Sequence, residues 1–258
     1  MAVLAGGRPI VTLTTDFGTR DHYVAMMKAQ VVRLCPDARL IDITHEVPRH
    51  DILCGSITLE RAIDGFLPGT VHLAVVDPGV GTDRRILAVE INRQTVVCPD
   101  NGLITWAWRR LGPAVARELI WRPRSSSSTF HGRDIMAPIA AMTAAGEPLD
   151  RISRPIADPI LLDLAPARPG ELHARIIHID VFGNATTNMD YQTLQPAGGR
   201  TFRVRGRSLG KLRKTYHDAV PGEPLALIGS SGLLEIAVRD GSVQELLNLK
   251  VGDEVTLE

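Results

Sequence analysis

Five short segments carry residue types that could do chemistry together. The first is Thr15-Asp16-Phe17-Gly18-Thr19-Arg20-Asp21. A carboxylate on such a turn is suited to accept both hydroxyls of a ribose diol, and Asp equally suits a plain turn or a helix cap. The second runs from Asp77-Pro78-Gly79-Val80-Gly81 to Arg84-Arg85. Its glycines and proline force a tight turn that lets the backbone approach a ligand. Asp77 and Arg84 bracket it, either as a structural ion pair or as a working acid–base pair. The third, Thr129-Phe130-His131-Gly132-Arg133-Asp134, sets a histidine beside an aromatic and a glycine just ahead of a helix. That setting suits an orientable imidazole, and it also suits a capping region in which Asp134 serves the helix start. In the fourth, Asp180-Val181-Phe182-Gly183-Asn184, the Asn amide offers a donor and an acceptor to the edge of a purine. Phe182 suits stacking on a base, or a place in the core. The fifth, Gly229-Ser230-Ser231-Gly232, could hold a carboxylate on hydroxyls and backbone amides, though taken alone it reads as a hairpin turn.

These segments need elements to position them. Residues 9–15, 39–44 and 71–76 read as strands, and 22–34 and 51–66 as helices between them. Further strands fit 86–92 and 95–98, and helices fit 103–111 and 134–145. Alternating strands and helices predict an α/β domain with a mostly parallel sheet. Asp16, Thr44-His45 and Asp77 then all follow the carboxyl ends of strands, the edge where such sheets bind ligands. The Ser125–Ser128 run reads as a mobile loop leading into Phe130-His131. Pro159, Pro166, Pro169 and Gly170 mark a boundary. An N-terminal domain over 1–163 and a C-terminal domain over 171–258 are therefore expected. The latter has short strand-like runs at 172–179, 201–205, 225–228, 233–238 and 254–257, which predict a small β-barrel or sandwich.

Composition removes several classes. Lys+Arg and Asp+Glu are both 29, so no broad basic field awaits nucleic acid. No apolar run approaches the ~20 residues of a membrane span. Met1–Arg8 has no long apolar region, so no signal peptide is expected. Cys35, Cys54 and Cys98 are scattered without metal-site spacing, which fits reduced thiols in a cytoplasmic protein. The Asp-Phe-Gly triplet is shared with protein kinases, but the glycine-rich loop, β3 lysine and catalytic loop are missing. The Gly-x-Gly of the second segment lacks the third glycine of a Rossmann turn.

Six motifs stand here in order: TDFG-x-x-D-x-YV, VVDPGVGT-x-RR, PDNG, TFHGRD, D-x-FGN-x-x-TN and SSGLLEIA. Together they resemble the SAM hydroxide adenosyltransferase family, relatives of the SAM-dependent fluorinase and chlorinase, from about Pro9 to the C-terminus. The resemblance implies an α/β domain followed by a β-barrel domain, and a homotrimer with active sites at subunit interfaces. It implies SAM as substrate and no metal or organic cofactor. Its water-handling Asp-Arg-His set falls on Asp77, Arg84 and His131. Asp16 falls on the ribose hydroxyls, Asn184 on adenine, and Asp180 and Ser230 on the methionine end. Phe130 and Phe182 join the expected substrate-binding set. The fluorinase pattern differs, with tyrosine for Asp77, Tyr-Ser for His131-Gly132, and a loop inserted before the PDNG segment. Arg85 is shared by both groups, so a structural role is expected for it.

The reaction so implied is attack of water on C5′ of the ribose, giving adenosine and L-methionine. Two rivals come from other classes. A metal-dependent phosphoesterase would gather Asp16, His45, Asp77, Asp100, His131 and Asp134 around ions, although their spacing fits no compact ligand motif. A non-catalytic SAM or adenosine sensor would need the pocket but not the three water-handling residues together.

Overall fold

The computed structural model describes residues 7–164, 166–168, 170–194 and 200–258; Met1–Gly6 and the expected linker residue Pro169 lie outside the described residues. The chain divides into two compact units, Met1–Asp163 and Leu164–Glu258.

In the first unit, β1 (Ile10–Thr15), α1 (Tyr23–Leu34), β2 (Arg39–Thr44), α2 (Ile52–Gly65) and β3 (Val71–Val75) alternate. Then come β4 (Ile86–Ile91), β5 (Gln94–Pro99), α3 (Thr105–Arg110), β6 (Ala114–Leu119), α4 (Ala137–Ala144) and β7 (Ser153–Ile156). The sheet order is β2-β1-β3-β5-β4-β6-β7. The pairings among β2, β1, β3 and β5 are parallel. Those of β4 with β5 and β6, and of β6 with β7, are antiparallel. The change of direction comes at the β4–β5 hairpin, where Asn92 and Arg93 adopt positive φ of 49° and 60°. Two adjacent left-handed residues are the signature of a tight hairpin turn.

Both sheet faces are covered. Val24, Met27 and Val31 recur at helical spacing on α1. Two of them, Met27 and Val31, join Val11, Leu13, Val97 and the Ile139–Ala141 stretch of α4 in one core. Leu59 and Ile63 of α2 and Ala107 of α3 pack with Leu87, Val89 and Val96 on the other side. The Asp51 carboxylate starts α2 by accepting the Cys54 amide at 2.9 Å, a helix N-cap. Among the described residues no helix is long and apolar enough to cross a membrane.

The second unit contains β8 (His173–Ile179), β9 (Ala185–Asp190), α5 (Tyr191–Leu194), β10 (Thr201–Val204) and β11 (Arg207–Lys211). It ends with β12 (Pro224–Ile228), β13 (Leu233–Val238), α6 (Val243–Leu247) and β14 (Glu254–Leu257). All its ladders are antiparallel, in the order β11-β10-β14-β8-β9-β13-β12. The two ends approach where Arg213 N–H, just past β11, donates to Ala226 O of β12 at 2.8 Å. The sheet thus curls into a nearly closed barrel around Ile176, Met189, Phe202, Leu234, Ile236 and Val255.

Candidate active site

The parallel register sets Thr15 of β1 opposite Val75 of β3. Asp16 and Asp77 therefore emerge from neighbouring strands at the same sheet edge. Asp16 is half-buried, and its Oδ2 accepts the His50 amide at 2.9 Å. This ties the turn after β1 to the turn after β2, so the carboxylate is not a helix cap; α1 starts at Tyr23, and its N-cap residue, His22, makes no side-chain cap.

Asp77 and Arg84 form a planar, two-pronged pair. Arg84 Nε donates to Asp77 Oδ1 at 2.6 Å, and Arg84 Nη2 donates to Asp77 Oδ2. Both side chains are nearly sealed, 4% and 8% exposed. Such burial demands pairing, because an uncompensated charge there is costly. Arg84 Nη2 also lies 3.2 Å from His131 Nδ1. Arginine can only donate, so Nδ1 must accept and the ring proton sits on Nε2. Burial, followed by the adjacent Arg84 charge, holds the His131 pKa below its usual value, against the opposing pull of Asp77. The imidazole is therefore neutral near pH 7.

Two contacts bring the third segment up to the other two. The Phe17 ring, in the Asp16 turn, packs edge-on against Phe130 with centroids 6.1 Å apart. Tyr23 meets Phe130 at 5.3 Å and 84°. Phe130 is thus a buried wall beside His131. At Gly81, φ is +84° and a Cβ would lie 2.6 Å from the Ser128 carbonyl oxygen, so only glycine lets the 77–85 turn touch the 125–131 loop. That loop is tied down by Ser127 N–H donating to Asp134 Oδ2 at 2.7 Å. Asp134 otherwise pairs with Arg133 and does not cap the helix start. The chain after His131 instead makes a π-helical turn, Gly132–Met136, before α4. Such turns concentrate at functional positions.

The neighbouring Arg85 goes elsewhere. Its guanidinium pairs with Asp100 at 2.7 Å and Asp158 at 2.9 Å. Among the described residues no group of three or more His, Cys, Asp or Glu side chains is placed to hold a metal ion. The members of the rival cluster have other partners: Asp77 has Arg84, Asp100 has Arg85, Asp134 has Arg133 and His45 has Thr15.

In the second unit, Asp180 follows β8 and organises its own turn. Its Oδ1 accepts the amides of Phe182 and Asn184, each at 2.9 Å, and its Oδ2 lies 3.3 Å from Asn184 Nδ2. Gly183 sits at φ +80°, where a Cβ would overlap the Ser242 hydroxyl. Phe182 is 73% exposed and Val181 92%, so neither belongs to the core. Ser230 is exposed on the β12–β13 hairpin turn, which Gly229 N–H closes onto Leu233 O at 2.9 Å.

Sequence reasoning placed His45 at the pocket edge without seeing its partners. It did not single out His50, whose amide holds Asp16, or Tyr216. The Tyr216 hydroxyl donates to the buried Glu235 carboxylate at 2.6 Å, and burial followed by that contact pushes its pKa up to about 12. These pairings join residues far apart in the chain, and no local pattern announces them.

Residues 11–153 match the SAM hydroxide adenosyltransferase N-terminal domain, and 174–256 match the C-terminal domain of the same family. The chain belongs to the SAM hydroxide adenosyltransferase family. It is 39% identical to an (R)-S-adenosyl-L-methionine hydrolase of Salinispora tropica, across 96% of this chain and 97% of that one. It is 38% identical to a protein of the same name from Thermus thermophilus, across 97% and 99%. A fluorinase of an Actinoplanes species is more distant, at 28% identity across 98% of each chain. The solved structure of an uncharacterized conserved protein from Thermotoga maritima superposes with a TM-score of 0.89 at 36% identity, covering 96% of this chain and all of that one.

Proposed function

We infer that the protein hydrolyses S-adenosyl-L-methionine to adenosine and L-methionine. Water attacks C5′ of the ribose in an SN2 displacement. The new O–C5′ bond forms as the C5′–S bond breaks, and the electron pair returns to sulfur, leaving neutral methionine. The leaving group needs no acid, because cleavage removes its positive charge. The task of the site is therefore to activate water, whose pKa of about 15.7 makes it a poor nucleophile.

The observation that carries this reading is Arg84 held between Asp77 and His131. A fixed guanidinium in a poorly hydrated place favours hydroxide character developing beside it. The neutral His131, protonated on Nε2, is suited to orient the water oxygen, and the Asp77 carboxylate is suited to accept the proton that water loses. Asp16 takes the ribose diol, with Phe130 as a wall. Asn184 takes the adenine edge, and Asp180 and Ser230 the methionine end. Phe182 stacks on the base, a role that its exposure supports. The same reading includes a homotrimer with sites at subunit interfaces, a cytoplasmic location and no cofactor.

Chromatography of a SAM incubation tests the function. Adenosine and methionine in equal amounts are expected. Intact SAM at substrate excess would instead mark a binding protein.

A further inference from the structure

Behind Asp16 lies a chain of polar contacts with no place in the reaction just described. Thr15 is fully buried and His45 is 5% exposed. Thr15 Oγ1 lies 2.9 Å from His45 Nδ1, and it also accepts the Phe17 amide at 3.3 Å. The far ring nitrogen of His45, Nε2, lies 3.1 Å from Asp42 Oδ1, a close approach outside hydrogen-bond geometry. Lys28 on α1 closes the series, its Nζ 2.6 Å from Asp42 Oδ2. Burial tends to raise the Asp42 pKa, but the Lys28 and His45 contacts prevail and hold it below the usual carboxylate value.

Thr15 Oγ1 accepts from Phe17 and keeps both its hydrogen and a second lone pair, so it can meet either tautomer of His45. The ionised Asp42 beside Nε2 favours the ring proton there, which leaves Nδ1 to accept from Thr15. A second tie comes from the backbone, since the His45 carbonyl accepts the Gly18 amide at 2.7 Å. Thr15 O accepts the Val47 amide at 3.3 Å as well. The Asp16-Phe17 turn is therefore anchored on both sides by one residue, His45. The imidazole holds Thr15 before the turn, and the carbonyl holds Gly18 after it.

We propose that His45 is a positioning residue for substrate binding, fixing the turn that aims the Asp16 carboxylate at the ribose diol through the Thr15–His45–Asp42 contacts. This rests on the ribose role of Asp16 proposed above. A carboxylate preset for two hydroxyls binds them without being ordered by the ligand, and looseness would be felt first in affinity.

Thr15→Val keeps the shape and removes the hydroxyl; His45→Leu removes the imidazole. Calorimetric titration with adenosine, steady-state kinetics with SAM and thermal melting are measured on each. Adenosine binding is expected to weaken about tenfold in both, the scale of ordering one rotamer-rich side chain. KM for SAM should rise in step while kcat stays within about threefold, the pattern of lost ground-state binding. The double variant should be no worse than the weaker single, since both act along one path. His45→Asn should restore most of the affinity, because its Oδ1 stands two bonds from Cβ, like Nδ1, and can accept from Thr15. A loss of stability alone would move the melting temperature without this split or this rescue. If His45→Leu does not fold, Thr15→Val decides. Adenosine affinity unchanged in a well-folded Thr15→Val, beside a weakened Asp16→Ala, overturns this inference alone. Unchanged affinity in Asp16→Ala overturns the ribose reading and this inference with it.

Discussion

Arg84 Nη2 lies 3.2 Å from His131 Nδ1, while the same guanidinium grips both oxygens of Asp77. One cation thus sets the tautomer of the histidine and the orientation of the carboxylate. The imidazole has its Nε2–H available, and the carboxylate oxygens keep lone pairs beyond those given to Arg84.

His131→Ala and Arg84→Lys should each lower kcat by about a hundredfold or more, with a smaller effect on SAM affinity, as for lost electrostatic or proton-handling groups. Lysine keeps the charge but cannot grip Asp77 with two prongs while reaching His131. Arg84→Ala should also cost stability, about 3–5 kcal/mol, because it strands the buried Asp77 carboxylate. Single-turnover kinetics and urea melts separate these effects. Near-normal kcat in both His131→Ala and Arg84→Lys would refute the roles given to these residues.

The pH profile follows from the downward shift of His131, caused by burial and then by Arg84. The neutral ring persists to lower pH than an ordinary histidine, whose pKa is about 6.5. Protonating Nδ1 would set a second proton against the Arg84 donor. The acid limb of kcat/KM should therefore have its midpoint below 6.5, and His131→Ala should lack that limb. A midpoint above 6.5 would contradict the environment described here.

Isotope labelling tests the direction of attack. In H₂¹⁸O the label should enter the 5′-hydroxyl of adenosine, read by mass spectrometry of the separated products. Release of adenine without adenosine would indicate attack at C1′ and a nucleosidase. Label confined to methionine would place the chemistry on the other side of the sulfonium.

A fourth prediction concerns the fold beneath the site. His72 is buried between Thr12 Oγ1 at 2.8 Å and Gln94 Oε1 at 2.7 Å. Burial lowers its pKa to about 4. The unfolded chain takes up this proton near pH 6.5 and the folded chain only near 4. This share of stability is complete above pH 6.5 and drains as pH falls toward 4, by about 3 kcal/mol. Urea midpoints at pH 7, 5.5 and 4.5 should fall more steeply for the wild type than for His72→Leu. Parallel slopes would show that His72 titrates normally in the folded protein.

Much of this architecture was legible in the residues. The apolar runs of β1, β3 and β13 and the spacing of Val24, Met27 and Val31 on α1 report their own burial, because an element that buries a face must repeat at its own period. Their order put Asp16, His45 and Asp77 at one sheet edge. Other strands gave no such signal. β9 (Ala185–Asp190) buries Thr186, Thr187 and Asn188, so polarity conceals it. β6 buries fully only Ala116 and Leu119, and β7 only Ser153, so little apolar pattern marks them and pairing across the sheet makes them strands. Nor does periodicity distinguish the π-helical turn after His131 from the start of an ordinary helix.

By itself the sequence determined the residue types, their order and the strand ends on which they sit. It paired Asp77 with Arg84 across the loop without deciding between a structural and a working pair, and it gave Arg85 no partner. The tertiary structure added His131 to the Asp77–Arg84 pair and sent Arg85 to Asp100 and Asp158. It also joined Thr15 to His45 across 30 residues, and Arg84 to His131 across 47. The physical reason is one of range. Local pattern follows from periodic burial within a few residues, whereas a hydrogen bond between distant side chains exists only once strand register and loop closure have brought both ends to within about 3 Å.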